Sequence, residues 1–150
     1  MARYQFPFQR ILDVKENEKE QVQLEMAETL KVQSDLEQEI ATLEQKLNTM
    51  RQALEQRQFE GLSVTELIKE EAHISYLDQK LGEKKMYLKQ LDERVSDHQE
   101  NLAEKVREEK TWQSIKEKRR EEHNKEIQIF EQNELDSFNT VRAYLQLKNG

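Results

Sequence analysis

The sequence predicts an all-α chain: a two-helix antiparallel coiled-coil hairpin with a long C-terminal helical extension. Three observations carry that expectation. Three glycines and one proline in 150 residues leave almost no turn chemistry, so the elements must be few and long. Hydrophobic residues are 35% and charged residues 37%, against roughly 45–50% and about 25% in ordinary soluble domains. That supplies one apolar stripe per helix and no layered core. The apolar residues also recur in steps of three and four, the signature of a coiled-coil seam. A disordered polar chain, the other expectation for such a composition, would not keep that phase.

The first helix is expected over about residues 7–59. Its seam falls on Phe8, Leu12, Lys15, Lys19, Val22, Met26, Thr29, Gln33, Leu36, Ile40, Leu43, Leu47, Met50 and Leu54. The last six are apolar without exception, which fixes the phase best toward the C-terminal half. Pro7 has a fixed φ and no N–H to lose, so it suits the first helical position. Phe6 before it is pushed toward an extended conformation.

The stretch "FEGLSVTEL", residues 59–67, interrupts the seam. Gly61 can take the left-handed conformation that ends a helix. Ser63 is a favoured N-cap, and Glu66 three residues later completes a capping box with it. Leu62 and Leu67 flank that cap at the two positions of a hydrophobic staple. A stop followed at once by a start predicts a turn over about 60–63 that joins antiparallel neighbours, rather than a kink in one rod. A turn centred on Gly61 sets residue i opposite about residue 122 minus i. Leu54 would then face Ile68, and Phe8 would face the neighbourhood of Ser114.

The second helix is expected over about residues 64–147. Its seam runs through Leu67, Ile74, Leu77, Leu81, Leu88, Leu91, Val95 and Leu102, with Glu70, Lys84 and His98 as polar exceptions. His98 at such a position reads as a polar residue that helps fix register. From Glu104 to Glu126 the seam nearly vanishes, with 15 charges in 23 residues and Val106, Trp112 and Ile115 as the larger apolar side chains. Phe6 and Phe8 can pack near Trp112 and Ile115 and close the paired section. Beyond them the second helix overhangs by about 25 residues, roughly 35–40 Å. Apolar spacing returns there at Ile127, Phe130, Phe138, Val141 and Leu145, and such a stripe on a solvated helix asks for another surface.

Several chemistries find no foothold. Cysteine is absent, which removes disulfides, thiol nucleophiles and thiolate metal sites. His73, His98 and His123 stand 25 residues apart, without zinc-ligand spacing. There is no phosphate-cradling glycine loop and no nucleophile elbow. No enzyme activity and no cofactor or metal is therefore expected. The net charge of -7, with 24 basic and 31 acidic residues interspersed, argues against a nucleic-acid surface. No apolar run approaches the roughly 20 residues of a membrane span. The first residues lack a signal-peptide core. A cytoplasmic chain without direct membrane insertion is expected.

Three segments, in order, resemble the flagellar FliJ family: "YQFPFQRILDVKENEKEQ", "GLSVTELIKEEAHISYLDQKLGEKK" and "EQNELDSFNTVRAY". The resemblance spans nearly the whole chain. It implies a stalk or adaptor of the flagellar type III protein export apparatus, similar in shape to the central stalk of rotary ATPases. Implied partners are the hexameric export ATPase FliI, its regulator FliH, the export gate protein FlhA and export chaperones. It also implies peripheral association with the membrane-embedded apparatus. On that reading the open end of the hairpin enters the ATPase ring, with Phe6, Phe8, Ile127, Phe130, Leu135, Phe138, Val141, Tyr144 and Leu145 as the expected contacts. His73, Tyr76 and Tyr87, off the seam of the second helix, are the expected contacts for the gate. Two other functions stay open: a coiled-coil export chaperone that clasps clients, and a purely structural coiled-coil dimer.

Overall fold

The computed structural model describes residues 3–149. Among them are two helices, α1 (Gln9–Glu60) and α2 (Val64–Asn149), and no strand. They pair antiparallel as a coiled-coil hairpin. α1 begins two residues after the proline expected to open it. The Gln9 amide donates to Phe6 O at 3.1 Å, so Pro7 sits in a tight turn that leads into the helix. The Phe8 carbonyl then accepts from Leu12 N at 3.2 Å, starting the helical ladder.

Gly61 ends α1 at φ 103°, a left-handed conformation that a side chain would strain. Ser63 caps α2: its Oγ accepts from Glu66 N at 3.2 Å, and its carbonyl accepts from Leu67 N at 3.0 Å. The capping box expected from the sequence is only half made. The Glu66 carboxylate turns to Arg57, 3.7 Å away across the bend, rather than back to the Ser63 amide. A guanidinium gives it a charged partner, which the reciprocal bond would not. Leu62 and Leu67 are both half-buried and packed on the core.

The chain divides into two compact units, Glu20–Ala103 and the pair of segments Met1–Lys19 and Glu104–Gly150. The first, the bend unit, is built on aliphatic side chains. Leu36, Ile40, Leu47 and Leu54 of α1 interlock with Ile74, Leu81 and Leu91 of α2, and Leu47 and Leu91 are 1% and 2% exposed. Polar seam residues meet polar partners: Thr29 Oγ1 lies 3.3 Å from His98 Nε2, and Gln33 Nε2 donates to Asp92. These contacts correct the register. A bend centred on Gly61 would have set residues near positions 93 and 89 opposite Thr29 and Gln33 and one near 65 opposite Arg57, which instead pairs with Glu70. These three partners are displaced by three to five residues, of which a bend over residues 61–63 rather than centred on Gly61 accounts for about two. Ile68, set opposite Leu54 by the fold-back, is 62% exposed, while Leu67, expected on the seam, packs on the core.

The terminal unit brings residues 3–19 onto the later part of α2. Here Phe6 and Leu12 are buried, and between seam positions the contacts are charged rather than apolar.

Candidate partner-binding site

Within the terminal unit, residues 3–8 form a non-helical strap tied to α2 by rings. Tyr4 lies 5.1 Å from His123, Phe6 meets Phe8 edge-on at 5.8 Å, and Phe8 packs on Trp112 at 5.9 Å. The Arg119 guanidinium sits 4.9 Å from the centre of the Phe8 ring, a cation–π contact on its outer face. Tyr4 Oη and His123 Nε2 are enclosed without a hydrogen-bond partner, so ring packing holds this contact.

Below the strap the sequence places Lys15 and Lys19 on the seam of α1. The structure answers them with acids. Lys15 Nζ donates to Glu108 at 3.1 Å, Lys105 Nζ donates to Glu18 at 3.1 Å, and Lys19 Nζ lies 2.6 Å from Glu109. Glu109 is 6% exposed and also accepts from Gln113. This lattice fills the segment in which the apolar pattern nearly disappears. The hydrogen bond from Lys15 to Glu108 leads in holding the Lys15 ammonium above its ordinary 10.5, against burial, with the Glu108 and Glu18 charges adding to it. The hydrogen bond from Lys105 leads in holding the Glu18 carboxyl below its ordinary 4.5, again against burial. The sequence contained the clue: two lysines on a seam require two acids opposite. Folding back about Gly61 pointed them near positions 107 and 103; Glu108 lies beside the first of these, and Glu109 lies six residues beyond the second.

Past His123 the character changes. Ile127 is half-buried, and every residue from 128 to 149 is exposed although the helix runs on to Asn149. Phe130 (62%), Phe138 (63%) and Tyr144 (64%) stand in solvent, as do Leu135, Val141 and Leu145. Of the residues expected at the ring, seven of nine thus lie on one stretch of helix. Phe6 is taken up by the fold at 6% exposure, and Phe8 offers only the edge left by Trp112 and Arg119.

In the bend unit, His73, Tyr76 and Tyr87 are all exposed. Their spacing sets them on one face of α2, with Lys80 stacked over the Tyr76 ring at 5.6 Å. Among the described residues no group of three or more histidine, aspartate or glutamate side chains could hold a metal ion, and no helix is long and apolar enough to cross a membrane.

The family model of the flagellar FliJ protein matches residues 4–148. The chain belongs to the FliJ family. That membership carries an association with the flagellar export apparatus, in a family of export components rather than enzymes. No curated protein and no solved structure gives a significant match.

Proposed function

We propose that this FliJ-family chain is a stalk and adaptor of the flagellar export ATPase complex. Its open end enters the hexameric ring of FliI, promotes assembly or activity of that ring, and links it to the export gate protein FlhA. FliH and export chaperones complete its set of partners. The protein is then cytoplasmic and peripheral to the membrane-embedded apparatus, with no catalysis of its own. The observation that carries this reading is the exposed stripe Phe130, Phe138, Val141 and Leu145, continuous with a helix already anchored by the strap. Aromatic side chains at fixed helical spacing are the usual anchors of a protein interface, and a solvated helix gains by burying them. Phe8 marks the upper limit of this surface. Phe6 supports it from inside the fold.

The test is ATPase stimulation. A chain ending after Glu126 retains the strap, the ion pairs and the aliphatic core. It should keep its helicity and lose stimulation of FliI. Full stimulation by that folded truncation rules out insertion of this end. Tyr76→Ala with Tyr87→Ala should leave stimulation intact and weaken capture of the gate protein. Unchanged capture would remove the His73–Tyr76–Tyr87 face from the reading.

A further inference from the structure

The bare end of α2 has a symmetry of its own. Phe130, Glu134, Phe138, Val141 and Leu145 lie in one row, and the spacing reads nearly the same forward and backward from Phe138. A helix with such a row is complementary to an antiparallel copy of itself. Its charges divide in the same way. Glu131, Glu134 and Asp136 precede the midpoint, and Arg142 and Lys148 follow it. Antiparallel pairing sets acid against base, whereas parallel pairing sets like against like. The fully exposed helical segment described runs over 128–149.

We propose that this segment pairs with the same segment of a second copy of the chain, antiparallel, about a two-fold axis at Phe138. Phe138 packs on its own counterpart, Phe130 packs on Leu145 of the other copy, and Glu134 faces Arg142 across the seam. The paired length is about 33 Å. The interface buries on the order of 1,000 Å², at the low end for a specific contact. The pairing does not depend on the ring reading. Dimerisation without ATPase stimulation would count only against the ring, and stimulation by a chain that stays monomeric only against the dimer.

Sedimentation equilibrium of the full chain, from about 1 to about 200 µM, should show a mass rising from 18.1 kDa toward twice that value. Phe138→Glu should hold the chain monomeric at unchanged helicity. Glu134→Arg alone should weaken the dimer about tenfold, and Glu134→Arg with Arg142→Glu should restore it. Spin labels at Gln128 should lie about 30 Å apart in the dimer, against about 10 Å for parallel helices. A monomer at the highest concentration, a dimer indifferent to Phe138→Glu, or Gln128 labels in close contact would each overturn the proposal.

Discussion

The bend unit and the terminal unit solve the same problem, holding two helices together, with different chemistry. In the bend unit seven aliphatic side chains interlock in a continuous cluster. In the terminal unit the corresponding layers are Lys15–Glu108, Lys105–Glu18 and Lys19–Glu109, closed by rings at Tyr4, Phe6 and Phe8. Apolar burial is non-directional and indifferent to salt, at about 25 cal/mol per Å². Ion pairs that keep partial contact with water contribute less than about 1 kcal/mol each and weaken as salt rises. They are directional, however, and reject a slipped register. The aliphatic cluster is therefore the source of stability, and the charged lattice is a source of alignment for the end that carries the exposed stripe.

The largest expected effect lies in the aliphatic cluster. Leu47→Ala removes a side chain that is 1% exposed and should cost about 2–5 kcal/mol, read from denaturant unfolding followed by circular dichroism. A loss under about 1 kcal/mol would show that the seam is loosely packed. Glu109→Ala should cost less, about 1–3 kcal/mol, because Lys19 keeps some access to water when its partner goes. The loss should be concentrated in the terminal unit, visible as faster amide exchange near Leu12 with little change near Leu47. Equal acceleration at both places would erase the distinction between the units.

The contrast also governs what could be read from the sequence. Every seam residue chosen in α1 between Leu12 and Leu54 is buried or half-buried, because a three- and four-residue spacing is itself the geometry of the contact. The bend was equally legible, since glycine with a positive φ and a serine cap are local requirements. Register was not legible. It depends on how many residues the bend consumes, and a difference of two or three residues there moves every partner. The fold-back rule aimed Lys15 within one residue of Glu108 but left Lys19 six residues short of Glu109, so the lattice was legible only in part. The strap was legible in part: Phe8 packs on Trp112 as the fold-back implied, whereas Tyr4 with His123 joins residues that no periodicity links. The exposed stripe was visible as a spacing of apolar residues without an opposing helix.

Next in size come the residues of the bend. Gly61→Ala forces an alanine to φ 103° with open space around its Cβ, so its cost is backbone strain alone, about 1–2 kcal/mol. Ser63→Ala removes the one side-chain cap of α2 and should cost about 1 kcal/mol. Because the two changes act within one short turn, their effects should not add. A double variant whose loss equals the sum would mean that stop and start are independent.

The smallest effect is the one that isolates the charged lattice, through pH. Glu18 has its folded value depressed below 4.5, first by the hydrogen bond from Lys105. Its contribution is complete above the unfolded value and is lost as pH falls through the lower folded one. Lys15 has its folded value raised above 10.5, first by its hydrogen bond to Glu108. Its contribution is complete below 10.5 and is lost as pH rises through the higher folded value. The lattice therefore loosens at both extremes and is intact across the neutral range. The aliphatic cluster, which has no titrating member, should not respond. Melting temperature should fall as pH drops below 4.5 and as it rises above 10.5. Glu18→Gln should flatten the acid limb while leaving the alkaline one. If the acid limb is the same in the variant, protons are acting elsewhere, and the alignment assigned to Glu18 and Lys105 has to pass to the buried Glu109 and its lysine.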